Sequence, residues 1–267
     1  MKSSSAWRAA AIGAALAAIV AAAAPLRARA QRGAAPEAKP AAAVPDISGS
    51  WERYGGFGRG ARANDPTIPP PNPPPPLKGE YLKEWQARVQ AARDADAKGT
   101  PLASNATYCL PEGMPAMMGA TFPIEFLQSR VQVTIIEEAF TQVRRILLDR
   151  PQKSFDEVEP SFYGRSVGHW EGDTLVADTI GIKEDIRFQN APHSKQLRLM
   201  ERIHLVSPDV MWDQLTMEDP VTLEKPWTVT FAYRRMPNYT LLEYVCEDNR
   251  EYADDKGFQR TRIGSGK

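Results

Sequence analysis

From residue 124 to residue 247 the chain consists largely of short stretches in which apolar and polar residues alternate, broken by turn clusters such as Glu171-Gly172-Asp173 and Ser207-Pro208-Asp209. A period of two is what a half-buried strand requires, because successive side chains point to opposite faces. The pattern predicts strands over 124–128, 130–136, 140–148, 161–170, 174–180, 196–206, 209–217, 227–235 and 240–247, with an earlier one opening at Asp46–Glu52 around Gly49 and Trp51. Consecutive strands joined by tight turns form an antiparallel meander. This many strands exceed what an open twisted sheet holds without curling, so a mainly β chain closing into a barrel is expected, as one domain over 46–260.

The region before the strands is different. Residues 66–76 hold eight prolines in eleven positions, which excludes helix and central strand and predicts an extended polyproline spacer. Residues 77–98 follow, rich in Glu, Lys, Gln and Ala, with Tyr81, Leu82, Trp85, Val89 and Ala92 at helical spacing: one N-terminal amphipathic helix. At the start, Lys2 and Arg8 precede a small-apolar run from Ala9 to Ala24, and Ala28-Arg29-Ala30 offers an A-x-A cleavage site. We read 1–30 as a signal peptide and the Ala/Pro/Lys-rich 31–45 as a disordered lead-in.

Export is therefore expected, to a periplasmic or extracellular location. The whole chain has 33 basic and 33 acidic residues; losing the four basic ones before residue 31 would leave a net charge of −4. Such a charge gives no pull toward nucleic acid or an anionic membrane, and neither is expected as a partner. Two cysteines are too few for a disulfide scaffold or a Cys-based zinc module, but in an oxidising compartment Cys109 and Cys246 should pair.

Strand parity locates the candidate site. In 197–205 the odd positions are Leu197, Leu199, Glu201, Ile203 and Leu205, which places a carboxylate at the centre of the core-facing row, with His204 on the other face. A buried carboxylate needs a donor. Strand 140–148 supplies one on either face, Arg144 or Arg145, and the pattern does not choose between them. Trp227, Phe231 and Tyr233 share a face with Val229 and would line a cavity, while Glu243, between Leu241 and Val245, is a weaker inward candidate. If Gly172-Asp173 form a two-residue hairpin loop, His169 lies opposite Val176 and shares a face with Asp178. His193 sits in a loop just before the Glu201 strand, placed to cover a barrel mouth.

Two motifs match in letters only. Gly164-Arg165-Ser166-Val167-Gly168 fits the G-x-S-x-G nucleophile elbow, yet its serine runs on into a strand rather than turning into a helix. Gly56 to Ala61 fits a loose dinucleotide pattern but precedes prolines, so no helix N-terminus is available for a pyrophosphate.

The stretches Gly168-His169-Trp170-Glu171-Gly172-Asp173-Thr174-Leu175-Val176, Pro192-His193-Ser194 with Glu201-Arg202, Asp219-Pro220 with Lys225-Pro226-Trp227-Thr228, Leu242-Glu243-Tyr244-Val245-Cys246 and Cys109 to Pro115 resemble a family of exported, lipocalin-like bacterial proteins. The resemblance covers about residues 105–250 and departs from the family pattern at Ile182, where an aromatic is expected after Gly181. It implies fold and export and carries no mechanism.

The combined expectation is an exported barrel holding a small, partly apolar molecule in its interior, without a cofactor. Acid–base chemistry of a lyase, isomerase or hydratase would use Glu201 or His193, with Arg144 or Arg145 stabilising an anion. The alternative is a non-catalytic binding or envelope-interaction protein in which Glu and Arg form a structural pair. A His169/His193/carboxylate metal site is a lesser alternative.

Overall fold

The computed structural model describes residues 44–54, 65–119, 121–246 and 251–261, all within the unit spanning 42–267. The signal peptide and most of the lead-in lie outside the described residues, as does the Gly56–Ala61 motif. Nine strands close a barrel in sequence order: β1 (Gly49–Tyr54), β2 (Ile124–Gln128), β3 (Gln132–Glu137), β4 (Gln142–Leu148), β5 (Arg165–Glu171), β6 (Thr174–Ile180), β7 (Arg198–Ser207), β8 (Val210–Glu218) and β9 (Trp227–Arg235). Antiparallel pairing of β1 with β9 closes the cylinder. The helix α1 (Gly79–Ala97) precedes β2, and a small hairpin, β10 (Glu251–Ala253) with β11 (Gln259–Thr261), follows.

Two expectations need correction. The meander is interrupted, because β4 and β5 run parallel, with Ile146, Leu147 and Leu148 opposite Ser166, Val167 and Gly168. A parallel pair requires a crossover, and residues 149–164, with Pro151 and Pro160, provide it. There is no strand over 240–245; this stretch is irregular, held where the Tyr239 hydroxyl and the Leu242 amide both donate to Glu138 Oε2, at 2.6 and 2.8 Å. Of its apolar residues, Tyr244 packs against Phe140 and Phe122, while Leu242 and Val245 are exposed.

The register gives the barrel two unlike ends. One carries the tight turns β2–β3, β5–β6 and β7–β8. The other carries the long connections: β1–β2 with α1, the β6–β7 loop (181–197) and the β8–β9 loop (219–226). At that second end, the segment Met114–Gly119 turns inward, its three methionines fully buried, and the Tyr233 hydroxyl donates to the Met118 carbonyl at 2.5 Å.

Among the described residues β1 pairs with β9 only from Ala232 onward, and no described strand pairs with the first half of β9 on that side. The proline-rich segment covers it. Proline cannot donate to a ladder, so Asn72 does so through its side chain, accepting from the Thr230 amide at 2.7 Å and donating to the Thr230 carbonyl at 3.3 Å. The Trp227 indole donates to the Pro73 carbonyl at 2.9 Å and the Trp212 indole to the Thr67 carbonyl at 2.7 Å. A bridge between Leu77 and Leu223 then leads the chain into α1, whose Tyr81, Leu82 and Trp85 pack on the core. Cys109 and Cys246 are joined, with Cα atoms 5.6 Å apart and a sequence separation of 137. Among the described residues no helix is long and apolar enough to cross a membrane.

Candidate functional site

β4, β5, β6 and β7 each send one polar side chain to the same point inside the barrel. Arg144 and Glu201 are 1% and 0% exposed and form a two-pronged ion pair: Nη1 donates to Oε1 at 2.7 Å, and Nη2 donates to Oε2. Nη2 also donates to Thr179 Oγ1 at 3.0 Å, Nε donates to Ser166 Oγ at 3.2 Å, and the two hydroxyls are 2.7 Å apart. Burial pushes the guanidinium toward neutrality, but the charge and hydrogen bonds of Glu201 outweigh it and hold Arg144 charged. Arg144 is thus the inward arginine; Arg145 is exposed on the outer face, because β4 buries its even row, Gln142, Arg144, Ile146 and Leu148.

Asp213 on β8 was not anticipated, although Met211, Asp213, Leu215 and Met217 carry the same parity signal as the Glu201 row. It pairs with Ile203 and so lies diagonally beside Glu201. Neither of its oxygens receives a hydrogen bond from the surrounding donors. Burial first, and then the Glu201 charge, raises its pKa well above the usual carboxyl range, which favours the neutral form beside the Glu201 carboxylate. Arg53 of β1 lies over the Phe231 ring, its Cζ 4.7 Å from the centroid, and its Nε and Nη1 have no hydrogen-bond partner among the described residues. The expected aromatics Trp227, Phe231 and Tyr233 are all buried inward, and Phe231 and Tyr233 fill the interior together with Trp51 and Phe126.

A second buried cluster caps the end with the long connections. Gln142 donates to Glu137 Oε2 at 2.5 Å and accepts from the amides of Glu112 and Gly113 at 3.1 and 3.4 Å and from the Tyr163 hydroxyl at 3.4 Å. Burial and the nearby Glu112 push the Glu137 pKa up to about 9; burial also raises Glu112. Val133, Ile135 and Glu137 share the inward row of β3, so this acid too was legible by parity.

His193 lies in the β6–β7 loop at the same end. Its Nδ1 is 3.0 Å from the Ser194 carbonyl, and its Nε2 is buried without a partner among the described residues, beside a small apolar pocket lined by Phe188, Leu197, Leu223 and Trp227. That pocket measures about 20 Å³, room for a single water. The loop is anchored by Asp219. Although burial opposes its charge, hydrogen bonds from the amide and hydroxyl of Ser194 (2.6 and 2.9 Å) and the amides of Val221 and Thr222 outweigh this and hold its pKa low.

On the other side of that loop lies a cleft of about 480 Å³, between α1, residues 101–116 and residues 185–190. Its walls combine apolar groups (Ala92, Leu102, Ala116) with Arg88, Arg187 and Glu112. Volumes of about 300–1,000 Å³ are typical of small-molecule sites.

The remaining sequence candidates do not join any of these clusters. His169 and Asp178 do share a face, as the pairing His169↔Val176 requires, but it is the outer face. His169 Nε2 is 3.1 Å from Glu171, and Asp178 is held by Arg198 at 2.9 and 2.7 Å. Glu243 is exposed, because the strand that would have turned it inward is absent. His169, near the β5–β6 turn, and His193, in the β6–β7 loop, stand at opposite ends of the barrel, which removes the His169/His193 metal reading. Among the described residues no group of three or more His, Cys, Asp or Glu gathers as a metal site. No protein-family model matches the chain, and no curated protein is significantly similar to it.

Proposed function

We propose that this chain is an exported binding protein of the lipocalin-like kind, in which the barrel is a rigid frame and a small, partly apolar molecule rests at the end carrying the long connections. The observation that carries this reading is the contrast between two places. The Arg144–Glu201 pair is enclosed and held by hydrogen bonds to each other and to Ser166 and Thr179, whereas the 480 Å³ cleft beside α1 is open and of ligand size. Glu201 and Arg144 then belong to the frame, and the ligand groups are those of the cleft. Export is supported by the Cys109–Cys246 bridge, which persists in an oxidising compartment.

A second reading is favoured by one feature of the cleft wall. Glu112 lines the cleft and adjoins Glu137, which keeps its proton up to about pH 9. Acid–base turnover of the lyase, isomerase or hydratase type would then run through Glu112 rather than Glu201.

Native mass spectrometry of protein purified from its own host tests the binding reading. A retained small molecule is expected on the wild type and not on Ala92→Trp, which fills the cleft from the half-exposed face of α1. An adduct unaffected by Ala92→Trp would move the ligand elsewhere, and a persistently bare protein would count against binding altogether.

A further inference from the structure

Arg88 on α1 and Arg187 in the β6–β7 loop are separated by nearly a hundred residues in sequence, yet line the same cleft. Their partners leave them incompletely neutralised. Arg187 Nη2 contacts Glu84 Oε1 at 2.8 Å, while its Nη1 is buried with no hydrogen-bond partner among the described residues. Arg88 donates from Nε to the Asn190 side-chain oxygen at 3.3 Å, a neutral acceptor that also lines the cleft. Burial, and then the Arg187 charge, push the Arg88 pKa down, against the opposing charge of Glu84. Such an arrangement is unfavourable in the empty protein and becomes favourable when an anion is placed between the guanidiniums.

The rest of the cleft limits what the anion is. Ala92, Leu102 and Ala116 supply an apolar wall, suited to a hydrocarbon body. Asp96, Asp185 and Glu112 stand on the same walls, and their charge disfavours a group carrying two negative charges, such as phosphate. One negative charge on two planar oxygens, attached to an apolar body, satisfies both conditions.

We propose that the cleft binds an amphipathic monocarboxylic acid, its carboxylate held by Arg88 and Arg187 and its apolar body laid along Ala92, Leu102 and Ala116. This inference rests on the binding reading above and names the ligand class for that site.

Titration calorimetry of the intact, oxidised protein with octanoate, 1-octanol and inorganic phosphate provides the test. Octanoate is expected to bind about tenfold or more tightly than octanol, and Arg88→Gln and Arg187→Gln are each expected to weaken octanoate about tenfold while leaving octanol binding unchanged. Both arginines lie outside the barrel, so melting temperature should hold and exclude misfolding as the cause. Equal affinity for octanoate and octanol, or indifference to both substitutions, would overturn the anchor while leaving the cleft as an apolar site. Preference for inorganic phosphate would overturn the carboxylate assignment. If neither octanoate nor octanol binds, the carboxylic-acid assignment is overturned, and the binding reading is then decided separately by whether wild-type protein from its own host retains a small molecule.

Discussion

Arg144 on β4 holds Glu201 on β7 through both of its terminal nitrogens, across the barrel interior, with Ser166 and Thr179 from the two intervening strands accepting from its Nε and Nη2. Charges this enclosed lose their hydration, and mutual attraction offsets that loss only while the pair is complete.

Glu201→Gln should therefore destabilise the fold by about 3 kcal/mol, a melting-temperature loss of roughly 6–12 °C for a domain of this size. The double change Arg144→Met with Glu201→Leu should recover part of the loss, because no charge is left stranded. Thermal unfolding of the three proteins is the measurement. An unshifted melting curve for Glu201→Gln would mean that the pair is wet and reachable, and would return Glu201 to the list of functional groups.

Glu137 produces a pH dependence of definite sign. Its folded pKa of about 9 lies above the ordinary 4.5, so its contribution is fully present below about pH 4.5 and is lost as pH rises toward 9. Glu137→Gln keeps an acceptor for Gln142 without a titrating proton. The variant's melting-temperature gain over the wild type should be small at pH 5 and larger at pH 8. A difference that stays constant between these pH values would show that Glu137 does not hold its proton.

The Gly164–Gly168 motif is explained by packing. A Cβ on Gly168 would lie 2.8 Å from Ile146 Cγ2 and 2.8 Å from the Val176 carbonyl oxygen, and Ser166 is buried against Arg144. Gly168→Ala should cost about 1–3 kcal/mol through overpacking. A fluorophosphonate probe should leave Ser166 unlabelled; labelling at that residue would revive the nucleophile reading.

Asn72 ties the proline segment to the exposed part of β9. Asn72→Ala removes the acceptor of the Thr230 amide and should cost about 1–3 kcal/mol. Hydrogen exchange at Thr230 reads it directly: protection should fall in the variant, and unchanged protection would show that another group covers this strand.

Much of the barrel was legible because strand periodicity is local. Leu199, Glu201 and Ile203 alternate with Arg198, Met200 and Arg202, and no distant residue is needed to see which row is buried. The same parity, applied to Asp213 and Glu137, would have found the other two interior acids. The 172–173 hairpin and the Cys109–Cys246 pairing were also readable, the first from turn chemistry and the second from cysteine number and compartment.

What the sequence alone determined, then, is most of the strands between residues 124 and 235, which rows face inward in the strongly alternating ones, and that a carboxylate in the core needs a cation. Tertiary structure decided which cation. β4 has apolar residues on both faces, so only its pairing with β3 and β5 turns Arg144 inward and Arg145 to solvent. It likewise decided the parallel β4–β5 pair and the loss of a strand around Glu243, because the partner a segment finds depends on chain path rather than on its own letters. The meeting of Arg88 with Arg187 is of the same kind: a helix and a loop far apart in sequence become neighbours only once the barrel has closed and fixed the end on which both rest.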